Sequence, residues 1–117
     1  MNLTVTDFPD EVSARGSWAG HGRVRAACAG QDGWLGVLDA REVPWEGGQA
    51  VVFTRRIPGP EGTEVRMRVA HVLDGRRQLV LNRRTDGPSA GAEVTAEADA
   101  AADVVLLREV AAVLPAD

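Results

Sequence analysis

The stretch from Thr63 to Val69 most constrains what this chain can fold into: Val65, Met67 and Val69 share one parity, and Glu64, Arg66 and Arg68 the other. A period of two belongs to a β-strand with one apolar and one wetted face. Beyond Asp74-Gly75 the apolar-biased run Gln78-Leu79-Val80-Leu81-Asn82 supplies a second strand, and Asp-Gly between two such runs signals a hairpin. A loop of Leu73-Asp74-Gly75 sets Val69 opposite Leu79 and Met67 opposite Leu81. The shorter loop Asp74-Gly75 sets Arg68 opposite Leu81 and mixes the faces, so the first register is expected. It leaves Arg66, Arg68, Asn82 and Arg84 on an outer face. A strand over 49–56, rich in β-formers at Ala50-Val51-Val52-Phe53-Thr54, is expected beside this hairpin. The connector Pro58-Gly59-Pro60-Glu61-Gly62 then reads as a loop.

Elsewhere the signals are shorter. Leu3-Thr4-Val5-Thr6 predicts a first strand or extended arm ended by Pro9. Ser13 to Gly22, with Gly16, Gly20 and Gly22, reads as loop. Arg23 to Cys28 alternates, which predicts a strand with Val24, Ala26 and Cys28 inward. After a turn at Gly30-Gln31-Asp32-Gly33 comes a partner strand from Trp34 to Leu38, covered on both faces and bulged at Gly36. Arg41 to Gly48 is a connector. Past a loop from Thr85 to Gly91, Ala92 to Ala96 is a candidate last strand. Asp99 or Asp103 then caps a C-terminal helix over 99–114, with Leu107, Val110, Ala111 and Leu114 as its stripe and Pro115 as its stop. The competing reading of Val104 to Leu107 is a strand. Together these elements predict a mostly β single domain over 1–117. The expected form is a small antiparallel β-barrel or rolled sheet of five to seven strands with one C-terminal α-helix, and a two-sheet sandwich is the alternative.

At 117 residues the chain can bury a core without metals or disulfides, and its one cysteine, Cys28, excludes an internal disulfide. Neither a leader pattern at Met1-Asn2-Leu3-Thr4 nor a run near the roughly 20 apolar residues of a membrane span is present, so a cytoplasmic protein is expected, with no membrane partner. All thirteen basic residues are Arg. GC-rich codon usage explains that as readily as selection for guanidinium groups does. The layout carries more information: residues 1–48 have net charge −3, residues 49–85 have +5, and residues 86–117 have −6. A basic middle between acidic ends is either a positive binding face or a set of segments that neutralise one another in the fold.

Candidate chemistry is sparse. His21, His71 and Cys28 match no paired zinc spacing, so no metal or other cofactor is expected. Ser13, Ser17 and Ser89 lie outside any Gly-x-Ser-x-Gly elbow, and Cys28 among alanines reads as packing, so no enzyme activity is expected. The doublets Arg55-Arg56 and Arg83-Arg84, with Arg66 and Arg68, are the candidate ligand-binding residues, because converging guanidinium groups take phosphates bidentately. Trp18, Trp34 and Trp45 are either core aromatics or stacking surfaces for bases. Asp86-Gly87-Pro88-Ser89-Ala90-Gly91 resembles, in its Asp and Gly, the Asp/Asn-x-Ser-x-x-Gly element of PilZ-type barrels that bind a cyclic dinucleotide. Pro88 stands where that element has Ser, and no two Arg residues have the Arg-x-x-x-Arg spacing, so the family is not assigned. The expected function is a non-enzymatic binding or regulatory module acting through a protein partner. The alternative is recognition of an anionic ligand, a nucleotide second messenger or single-stranded nucleic acid, by an Arg-rich sheet face.

Overall fold

Antiparallel pairing dominates the computed structural model, which describes residues 2–28, 36–84 and 92–115. They divide into two units, 1–86 and 87–117. The first contains β1 (Asn2–Asp7), α1 (Glu11–Cys28), β2 (Gly36–Val43), β3 (Gly48–Pro58), β4 (Glu64–Asp74) and β5 (Arg77–Arg84). The strands form a five-stranded sheet in the order β1-β5-β4-β3-β2. Its edges, β1 and β2, do not pair with each other, so among the described residues the sheet is open and the expected barrel closure is not seen. Each neighbouring pair is antiparallel, which makes β1 and β2 parallel, and α1 is the crossover between them.

The register of the β4–β5 hairpin differs from the expected one. Asp74 pairs with Arg77 across the turn Gly75-Arg76, which places Val72 opposite Leu79 and Ala70 opposite Leu81. Positive φ falls on Gly75 (64°) and not on Arg76, the pattern of a type II′ turn that matches strand twist. Judging the faces from Met67 and Val69 alone concealed that β4 is apolar on both parities from Val69 onward. All of Arg68 to Leu73 is buried, so β4 has no wetted face over this span. One face, hereafter the α1 face, carries Val51, Phe53, Val69, His71, Gln78 and Val80. The other carries Ala50, Val52, Ala70, Val72, Leu79 and Leu81, all buried.

α1 is the element the sequence reading missed: Glu11–Cys28 is one helix where a loop and a strand were expected. Its start is set by Asp10, whose Oδ1 accepts the Ser13 amide at 2.6 Å, while the Asp10 carbonyl accepts from Ala14 N. Hydrogen bonds to its carboxylate, from the Ser13 amide first, hold the Asp10 carboxyl below its usual range. Ala14, Trp18, His21, Arg25 and Cys28 recur at helical spacing and form the sheet-facing stripe. β2 also departs from expectation. It continues past Leu38 to Val43 through an irregularity between Leu38 and Arg41, with Asp39 at φ 56°, so the bulge lies there and not at Gly36. Trp34, Leu35 and the expected turn at 30–33 lie outside the described residues.

The second unit holds α2 (Ala92–Val113). The C-terminal helix was expected, but it starts at Ala92, where a strand was the candidate, and Asp103 sits inside it instead of capping it. Ala100, Asp103, Val104 and Leu107 are buried, and the half-buried Val110, Ala111 and Leu114 continue that face. The expected loop from Thr85 to Gly91, including the PilZ-like run, lies outside the described residues.

Two glycine substitutions separate the helix from the turn. Gly16 lies in α1 with open space where a Cβ would go, so Gly16→Ala should stabilise by about 0.5–1 kcal/mol. Gly75→Ala, at positive φ, should destabilise by roughly 1 kcal/mol or more. Urea unfolding of the two variants checks both signs.

Candidate functional site

Consecutive residues of a strand point to opposite faces, so a strand doublet cannot converge on one ligand. Arg55 lies on the α1 face opposite Val37, whereas Arg56 lies on the other face opposite Arg66. Likewise Arg84 is opposite Met67 on the α1 face, and Arg83 is opposite Arg68 on the other. The fold therefore gathers four of the six candidate arginines, Arg56, Arg66, Arg68 and Arg83, and separates Arg55 and Arg84 from them.

Those four are not an open cationic surface. Glu64 receives Arg56 Nε on Oε1 at 2.5 Å and Arg66 Nε on Oε2 at 2.6 Å. The two guanidinium groups, Arg66 foremost, hold the Glu64 carboxyl below its usual range. Arg68, expected on a wetted face, is only 7% exposed, on the same side as Ala70 and Val72. In a further doublet, Arg76-Arg77, Arg77 Nε donates to Asp7 Oδ1 at 2.7 Å, and Arg76 Nη1 donates to the Pro9 carbonyl at 3.3 Å. Both tie β1 and its exit to the hairpin.

A different constellation forms on the α1 face. Trp18 from α1 packs on His71 with ring centroids 4.5 Å apart, and His21 meets the same imidazole edge-on at 5.1 Å. His71 Nε2 lies 2.8 Å from Gln78 Oε1, and Gln78 Nε2 donates to the Ala14 carbonyl at 3.0 Å. With the amide oriented this way, Oε1 accepts, so His71 carries its proton on Nε2. The imidazole is 4% exposed, and burial pushes its pKa down to about 4, with His21 and Arg25 adding smaller effects in the same direction. Trp18 Nε1 donates to Gln49 Oε1 at 3.1 Å at the other side of the ring.

Beside this cluster is a cleft of about 120 Å³ lined by His21, Val24, Arg25, Cys28, Val37 and Arg55. The Arg25 guanidinium lies 5.7 Å from the Trp18 ring centroid and 5.4 Å from that of Phe53. Burial lowers its pKa, which marks a partly desolvated cation. Among the described residues neither Arg25 nor Arg55 forms an ion pair with a carboxylate. Of the expected site residues only Arg55 is here. Sequence reasoning set Arg25 outward on a strand and treated His21 as unrelated to His71. The signal that would have found both is the 14/18/21/25/28 spacing behind an Asp10 cap.

No helix among the described residues is long and apolar enough to cross a membrane. No family model matches the chain, and neither does any curated protein or solved structure.

The buried imidazole fixes a pH dependence. His71 is neutral in the fold but takes a proton near pH 6.5 when unfolded, so below that pH the unfolded chain binds more protons. Stability should therefore be complete above pH 6.5 and fall as the pH approaches 4, by up to roughly 3 kcal/mol from this group. Urea unfolding at pH 7 and pH 5 measures it, and His71→Phe should flatten that slope.

Proposed function

We propose that this chain is a non-catalytic binding module that acts inside the cell through protein contact, using the free edge of its sheet at β1. The observation that carries the proposal is the contrast between the two edges. β2 is guarded by its irregularity and by exposed Asp39, Arg41 and Glu42, devices that discourage strand addition. β1 has no Pro, no bulge and no charge between Asn2 and Thr6, and its outer backbone groups face away from β5. A regular, uncharged edge of this kind adds a further strand by main-chain hydrogen bonding.

The occupant the pattern favours is a second copy of the chain. In an antiparallel arrangement centred on Thr4, Thr4 meets Thr4, Leu3 meets Val5 and Asn2 meets Thr6 of the other copy. Parity is preserved, so apolar residues meet apolar ones and polar residues meet polar ones. Leu3, at 40% exposure, gains cover by this pairing.

Light scattering at concentrations on the order of 100 μM should then give a dimer mass. Thr4→Lys should return it to a monomer, because two ammonium groups would face each other across the two-fold axis. In a Cys28→Ser background, Thr4→Cys should form an intermolecular disulfide on oxidation, since opposed residues of an antiparallel pair lie about 4.5–5.5 Å apart. A chain that stays monomeric and does not cross-link would overturn the proposal.

A further inference from the structure

We infer that the cleft between the C-terminal half of α1 and the β2–β3 end of the sheet is a binding site for a phosphate group, as inorganic phosphate or a small phosphomonoester. The site is independent of the β1 edge, since β1 and β2 are the two ends of the strand order.

Of its described lining, His21, Val24, Arg25 and Cys28 come from the C-terminal half of α1. The other two, Val37 and Arg55, are cross-strand partners on the sheet face beneath. Arg25 and Arg55 thus approach one space from two elements, a convergence that no strand doublet achieves. Among the described residues no carboxylate lines this space, and neither guanidinium is matched by one. By contrast, Arg56 and Arg66 share Glu64, Arg77 holds Asp7, and Arg15 pairs with Glu11.

A half-buried cation without a counter-charge loses hydration that stacking on aromatic rings replaces only in part. The Trp18 and Phe53 rings also hold the Arg25 fork in place, so little side-chain freedom is lost when an anion arrives. Guanidinium forks match the paired oxygens of a phosphate, and the exposed His21 ring adds a further hydrogen-bond donor at the rim. The cleft of about 120 Å³ has room for a phosphate group, and Val24 and Val37 offer an apolar wall to a small ester substituent. The C-terminal end of α1 opposes anions with about half a unit charge, less than the two full positive charges in the cleft.

Isothermal titration of the purified chain with inorganic phosphate and with phenyl phosphate tests the site, and sodium chloride at matched ionic strength controls for screening. Saturable binding of one or both is expected; tighter binding of phenyl phosphate would identify an ester as the preferred form, and equal binding would identify the free anion. Arg55→Gln should weaken binding by about tenfold or more, and Arg55→Lys, which keeps the charge and loses the fork, by several-fold. Arg41→Gln, an exposed charge on β2 outside the cleft, should change it by less than about twofold. Circular dichroism establishes that each variant is folded, and amide chemical shifts of Val24, Cys28 and Val37 should move on titration. Absence of saturable binding by either probe, or equal weakening by Arg41→Gln and Arg55→Gln, would overturn the assignment.

Discussion

The first unit depends on a polar chain in an apolar setting: the Ala14 carbonyl, the Gln78 amide and the His71 imidazole, stacked beneath Trp18. It ties the helix to β4 and β5 at a place where unpaired groups would be costly. A buried amide or imidazole left without partners costs about 1–3 kcal/mol, so a shift of α1 along the sheet is penalised at each link. The helix needs that hold. Gly16, Gly20 and Gly22 together cost it roughly 3 kcal/mol relative to alanine. Burial of Ala14 and part of Trp18, with the Asp10 cap, offsets a loss of this size.

That balance explains which parts of the fold were legible. Strands β1, β3, β4 and β5 were visible because period two survives in short runs such as Thr63 to Val69, and because Pro9, Pro58 and Asp74-Gly75 mark their ends. The C-terminal helix was visible through Leu107, Val110, Ala111 and Leu114. α1 was not, because its three glycines and polar residues mimic a loop, while Arg23 to Cys28 happens to alternate. The helical reading becomes favourable only when Trp18 has His71 to pack on, and that contact joins residues far apart in sequence. The hairpin register failed for a related reason: with apolar residues on both parities of β4, no local pattern distinguishes one face from the other.

The arginine-rich middle shows how little a charge count says about a site. Doublets read as convergent were split by the pleat, and Arg56 and Arg66 are matched to Glu64. What remains chemically open is a pair drawn from different elements, Arg25 and Arg55, on the face that α1 covers. Only Arg55 of these stood out in the sequence, since Arg25 enters the cleft only if its segment is helical. Sheet and site therefore rest on the same helix: misplacing α1 removes the buried imidazole, the aromatic stack on Arg25 and the cleft together.

The measurement that bears most directly on this account is a long-range proton–nitrogen NMR spectrum of the two histidines, titrated from pH 8 to pH 5, with nuclear Overhauser effects from the Trp18 indole. The account predicts that His71 stays neutral with its proton on Nε2 throughout that range, and that its ring protons show close contacts to Trp18. A His71 that titrates near 6.5 and shows no contact with Trp18 would contradict it.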